Sequence, residues 1–232
     1  MDEHSHSDGA LLTRRGSLAR LGGVVAAILG AGAWRSGVFG PDAAAGAVTC
    51  VLTPEQTEGP YYIPSEKLRR NIIEGKPGIP LTLRATVVDA STCRPIAGAA
   101  VDVWHCDAAG VYSGFGQATG NRTFLRGIQR TDANGLAILR TIYPGWYPGR
   151  TVHIHVKVHA GGDVVHTGQL YFSDALTDAV YRKAPYTRRP GRTTRNRDDP
   201  VFADGGRNSL LKVRRTKAGG YVGAITMGVR RA

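Results

Sequence analysis

From Leu81 onward, apolar and polar residues alternate along the chain. Leu81, Leu83, Ala85 and Val87 interleave with Thr82, Arg84 and Thr86, the pattern of a strand with one buried face. Residues 99–105 and 136–142 read as further strands, the second entered through the hairpin-type turn Asp132-Ala-Asn-Gly135. Val152, Ile154, Val156 and Val158 then alternate with His153, His155, Lys157 and His159. Residues 166–172 and 221–229 complete the set, and no helical periodicity separates these runs. The pattern predicts an all-β fold, an antiparallel sandwich or barrel spanning 81–232. Ahead of it, residues 46–80 carry Pro54, Pro60, Pro64, Pro77 and Pro80 and read as an irregular Pro-rich N-terminal arm or lid.

Composition agrees. Gly (31) and Pro (12) favour turns, and all five Glu lie at or before Glu74, which excludes long Glu–Lys helices from the C-terminal two thirds. The net charge of +12 falls entirely outside residues 1–45, where Arg14, Arg15, Arg20 and Arg35 balance Asp2, Glu3, Asp8 and Asp42. Such a surface attracts anions without identifying a partner. Seven basic residues lie between Tyr181 and Arg197. Without a recognition helix or stacking platform they read as a solvated loop, and no nucleic-acid partner is expected.

The leader bears on compartment. Thr13-Arg14-Arg15-Gly16-Ser17-Leu18 precedes a Gly/Ala-rich apolar run of about 14 residues ending at Trp34, shorter than the roughly 20 that span a bilayer. This resembles a twin-arginine (Tat) export signal over residues 1–45, with cleavage near Ala45; an uncleaved anchor is the alternative. The mature chain is then secreted or in the cell envelope, with no stable membrane association after cleavage. In an oxidising compartment Cys50, Cys93 and Cys106 allow one bridge and one thiol, and Cys50 and Cys93 are the freer pair.

On a strand, residues i and i+2 point the same way, so His153 and His155 project from one face while Ile154 enters the core. Exposed histidines on a polar face are the commoner outcome, yet two such imidazoles can converge on one metal ion. No Glu follows Glu74 and the next acid is Asp163, so a carboxylate ligand of the two-His type is missing. The available oxygen donor is Tyr147, in the loop Pro144-Gly-Trp-Tyr-Pro-Gly149. A phenol with an ordinary pKa near 10 stays ionised at neutral pH only on a strongly acidic cation such as Fe(III).

Several segments together resemble the intradiol ring-cleavage dioxygenases, non-haem Fe(III) enzymes that open catechols between their hydroxyls. They are Pro54-Glu-Gln-Thr-Glu-Gly-Pro-Tyr-Tyr62, Val103-Trp-His-Cys-Asp-Ala-Ala-Gly-Val-Tyr-Ser113, Arg130-Thr-Asp-Ala-Asn-Gly135, the stretch from Tyr147 to His155, and Gln169-Leu-Tyr-Phe172. The resemblance implies a β-sandwich with Tyr112, Tyr147, His153 and His155 as ligands of Fe(3+), and Arg150 as an active-site cation. Gln169 is implied beside the iron, with Gly59, Pro60 and Tyr61 lining the substrate pocket. The implied partners are a small aromatic diol and O2, the implied product a cis,cis-muconate. Fe(III) with two tyrosinates and one hydroxide is neutral, so a catechol dianion must displace two negative donors; the resemblance assigns these to hydroxide and Tyr147. A secreted binding module for an anionic polymer, kept on the same scaffold, is the alternative class, and a zinc enzyme using the His pair is another. A binding module has no need of all four donors together, and the zinc site lacks its acidic ligand. The ring substituents of the diol and any homo-oligomer stay open.

If residues 1–45 direct Tat export, replacing Arg14 and Arg15 together by Lys leaves the precursor inside the cell. Undiminished export of that variant, followed by immunoblotting of the culture fraction, contradicts the assignment.

Overall fold

The computed structural model describes residues 50–64 and 67–230; the leader lies outside the described residues. Eight strands form two sheets. One has the order β4 (Leu136–Ile142), β1 (Pro80–Asp89), β8 (Tyr221–Val229), β7 (Lys212–Arg215). The other runs β3 (Arg126–Arg130), β2 (Ala100–Trp104), β5 (His153–Ala160), β6 (Asp163–Tyr171). Every pairing is antiparallel except β1 with β8, which run parallel with Leu83 opposite Gly223. The fold is an all-β sandwich. Its core is the two inward faces: Leu81, Leu83, Ala85, Val87, Leu139 and Met227 from one sheet, Val101, Val103, Ile154, Val156 and Val158 from the other. Burying each of the larger side chains is worth about 1.5–3 kcal/mol.

Two strands were not readable from the pattern. β3 (Arg-Gly-Ile-Gln-Arg) and β7 (Lys-Val-Arg-Arg) carry one large apolar residue each, and both lie at sheet edges. α1 (Gly116–Thr119), α2 (Asp174–Tyr181) and α3 (Pro200–Ala203) are short, as the lack of Glu requires. The basic loop is less solvated than expected. Arg192 is bound to Asp174 (2.6 Å) and Asp178 (2.9 Å) of α2, and the Arg189 guanidinium stacks 4.5 Å from the Trp146 ring centroid. Arg182, Lys183, Arg188 and Arg197 remain exposed. Among the described residues no helix is long and apolar enough to cross a membrane.

The arm is irregular but tied down. Thr53 N–H donates to Gly228 C=O and Gln56 N–H to Thr167 C=O, both at 2.9 Å; further on, Ile72 N–H donates to Arg140 C=O at 3.0 Å. The segment thus straps β8, β6 and β4 in turn. Cys50 is disulfide-bonded to Cys93, with their Cα atoms 5.3 Å apart, joining the start of the arm to the turn after β1. Cys106 is a free, buried thiol.

A cross-link closing a loop of 43 residues restricts the unfolded chain, and losing it costs about 2–5 kcal/mol. Cys93→Ser is therefore expected to lower the unfolding free energy of the oxidised protein by that amount, seen as a lower urea midpoint. Equal midpoints would show that the bond contributes nothing.

Candidate metal centre

In β5, His153, His155 and Lys157 share one face. Such a face is expected to be wet, yet His153 and His155 are 2% and 1% exposed, so the commoner reading of exposed histidines is reversed. The cover is the arm. Gln169 Nε2–H donates to Thr57 C=O at 3.0 Å. Gly59, at φ +73°, packs so closely that a Cβ there would sit 3.2 Å from His155 Cε1. Lys157 pairs with Glu58 and lies 3.8 Å from the Tyr62 ring centroid; Tyr62 packs on Trp104, their centroids 4.9 Å apart. Trp104, opposite His155 in the strand register, stacks on its imidazole at 4.9 Å and 5°.

The two imidazoles are held differently. His153 Nδ1 lies 2.6 Å from Thr151 O. A carbonyl only accepts, so Nδ1 carries the proton and Nε2 presents a lone pair. His155 Nδ1 is buried without a hydrogen-bond partner, leaving its ring to be oriented by Trp104 and the arm.

The tyrosines come from two loops. Tyr112 follows β2 in a turn organised by Asp107, whose Oδ1 accepts from Ala109 N–H (2.9 Å) and Val111 N–H (3.0 Å). Tyr147 follows Trp146, whose Nε1–H donates to Arg189 C=O at 3.2 Å. The loops meet where Gly145 N–H donates to Asp107 C=O at 3.1 Å; a Cβ at Gly145 would run into that carbonyl. As a result the Tyr112 and Tyr147 ring centroids are 5.8 Å apart, Tyr147 and His153 5.6 Å, Tyr112 and His155 6.2 Å, and the two imidazoles 4.6 Å.

The donor atoms of three of these rings converge. Tyr147 Oη and His155 Nε2 each lie 3.0 Å from His153 Nε2, whose single lone pair serves only one of them. Tyr112 Oη is buried and makes no hydrogen bond. Burial depresses His153 to about 3, with Arg150 adding to the effect, and drives His155 well below its ordinary value, with His153 and Arg150 contributing. It pushes the Tyr147 phenol up to about 12 and Tyr112 well above the usual phenol range. A cation facing these atoms satisfies the crowded lone pairs and the orphaned hydroxyl together. Among the described residues no three His, Cys, Asp or Glu side chains form a candidate metal cluster. The donor set is two imidazoles with two phenols, suited to a hard, highly charged ion.

Arg150 lies beside them, donating from Nε to Asp199 Oδ2 (3.0 Å) and from Nη2 to Gln169 Oε1 (2.5 Å). Gln169 stands opposite His155 in the β5–β6 register. Tyr61 stacks on Tyr112 at 4.2 Å and 12° and meets Tyr147 edge-on, while Pro60 is exposed at the turn. Every site residue expected from the sequence except Pro60 is thus gathered in one buried or half-buried cluster. Trp104 and Asp199 were missed. Trp104 was legible only as a strand residue, and Asp199 only as the cap before Pro200.

Comparison with known proteins identifies the family. The family described as Dioxygenase matches residues 57–187, just over half the chain, and the chain belongs to this family of intradiol ring-cleavage dioxygenases. Catechol 1,2-dioxygenase 1 of Acinetobacter lwoffii is 34% identical over 101 residues, covering 41% of this chain and 32% of that protein. Chlorocatechol 1,2-dioxygenase of Cupriavidus pinatubonensis is 32% identical over 146 residues, covering 52% of this chain and 56% of that protein. The chain therefore spans about a third to just over half of these curated relatives. An intradiol ring-cleavage dioxygenase from Tetranychus urticae superposes with a TM-score of 0.75 at 36% identity, over 78% of this chain and 95% of that one.

Gly145→Ala tests the clasp between the tyrosine loops. The methyl group has to displace the Asp107 carbonyl, at an overpacking cost of about 1–3 kcal/mol. Metal affinity is expected to fall more than that of a control Gly223→Ala in β8, where an added Cβ makes only ordinary contacts of 3.4 Å or more. Equal affinities, measured by chelator competition, would free the tyrosines from this contact.

Proposed function

We propose that the protein is a non-haem Fe(III) enzyme that opens a catechol-type aromatic diol between its hydroxyls, using O2, to give a cis,cis-muconate. The observation that carries this reading is the convergence of Tyr112, Tyr147, His153 and His155 without a carboxylate among them. These four would hold the ion. Fe(III) bound there would ionise the phenols, chelate the diol and make its ring reactive toward O2. Both oxygen atoms enter the product, so no external reductant is needed.

The chain's own groups have separate tasks. Tyr112 is buried and pinned under Tyr61, which suits a donor that stays in place. Tyr147 is half-buried, and its Oη is the acceptor for a proton from an arriving catechol hydroxyl. Arg150 supplies positive charge where the substrate becomes electron-rich. Tyr61 stacked on Tyr112 and Trp104 stacked on His155 flank the donors with aromatic surface, and Phe115 backs Tyr61 edge-on. On this reading the leader exports the enzyme, and its substrates are diols met outside the cytoplasm.

Iron-loaded protein is expected to be red-brown from phenolate-to-iron charge transfer and to consume one O2 per catechol. Tyr147→Phe should keep its iron and one phenolate band while turning over roughly 100-fold slower, the scale of a lost acid–base group. His153→Ala and His155→Ala should lose iron. Wild-type rates in Tyr147→Phe, read by oxygen electrode, would make Tyr147 a packing residue.

A further inference from the structure

The carboxylate of Asp199 is completely buried, at 0% exposure. An isolated charge is costly there, and four N–H groups compensate it. Oδ1 accepts from Val201 N–H (2.8 Å) and Phe202 N–H (3.2 Å), capping α3. Oδ2 accepts from Thr151 N–H (2.8 Å) and Arg150 Nε–H (3.0 Å). The two oxygens therefore have different employments, one holding a helix and the other the active-site arginine. Thr151 also receives the Nδ1 proton of His153 on its carbonyl, so the same short stretch of backbone orients a ring and the cation beside it. With Nε on Asp199 and Nη2 on Gln169, two edges of the Arg150 guanidinium are fixed. Nη1 has no partner among the described residues. The charge of Arg150 is felt at Tyr112, Tyr147, His153 and His155 alike.

We propose that Asp199 is a positioning residue, which clamps the Arg150 guanidinium so that Nη1 and its charge face the bound diol. The inference rests on the proposed dioxygenase reading. It predicts that charge at residue 150 is insufficient without the clamp, since misplacing a catalytic group by about 1 Å can cost 10²-fold.

The test is a double-mutant cycle on iron-loaded protein with catechol. Asp199→Asn is expected to lower kcat about 100-fold while iron content and the charge-transfer band stay unchanged, a split that general unfolding would not produce. In an Arg150→Ala background the same change should add no further loss. Arg150→Lys keeps the charge but has no Nε–H fork, and should be nearly as slow as Arg150→Ala; it serves equally if Asp199→Asn fails to fold. The Arg150 Nε–H proton, followed by NMR in metal-free protein, should exchange slowly in the wild type and fast in Asp199→Asn. Multiplicative losses in the double mutant, or wild-type turnover in Arg150→Lys, overturn the clamp. If the wild type binds no iron and cleaves no catechol, the dioxygenase reading fails instead, and the NMR exchange rate still decides whether Asp199 holds Arg150.

Discussion

The polar face of β5 lies beneath residues 57–62 of the arm, and the chemistry of the site depends on that cover. With Ile154, Val156 and Val158 in the core, the face of β5 bearing His153 and His155 points away from it, toward what would otherwise be water. In water the imidazoles would titrate near 6.5 and the phenols near 10, and charges would be screened by a dielectric near 80. Covered, the same groups hold neutral imidazoles and protonated phenols in a medium where one added cation has large effects. The cover costs little to hold because the arm is anchored on both sides of it, at Thr53 on β8 and at Ile72 on β4. An irregular segment thereby acts as a third layer over one end of the sandwich.

How much of this the sequence disclosed follows from how far each interaction reaches. β1 and β5 were legible because one face of each is apolar and packs in the sandwich core, which writes period two into the chain even where, as in β5, the polar face is covered as well. β3 and β7 were not, since an edge strand takes its position from its neighbour and needs few apolar residues of its own. The parallel pairing of β1 with β8 joins segments about 140 residues apart in sequence and leaves no local mark. At the site, the His pair and Tyr147 lie within nine residues and could be read together. Tyr112 entered only through the family resemblance, because its partnership with Tyr147 is made by loops clasped at Gly145 and Asp107. The Arg150–Asp199 contact spans 49 residues, and nothing near either residue announces the other.

Surface charge and site charge are separate matters in this protein. The excess of +12 is spread over exposed Arg and Lys, whereas the cations near the site are committed. Arg126 spends its donors on the Ser113 carbonyl and hydroxyl and the Tyr61 carbonyl, fixing the segments that bear Tyr112 and Tyr61. Arg150 is balanced by Asp199. The basic composition therefore bears on what the outside of the protein attracts, while the chemistry inside is set by a few neutralised contacts.

That neutrality explains why a phenol-rich donor set is tenable in a buried place. Before a metal binds, the imidazoles are neutral and the phenols protonated, and Arg150 beside them is paired with the Asp199 carboxylate. On the proposed reading, a trivalent ion that ionised both phenols would add a net charge of one, small enough for a single hydroxide to cancel. Had the ligands been carboxylates, the empty site would have held two like charges side by side under the arm, raising the pKa of one of them sharply. Tyrosine avoids this, since its proton leaves only when a strong enough cation arrives. On the proposed reading the same property suits Tyr147 to take up a proton from an incoming diol, since a phenolate released from the cation is again a base.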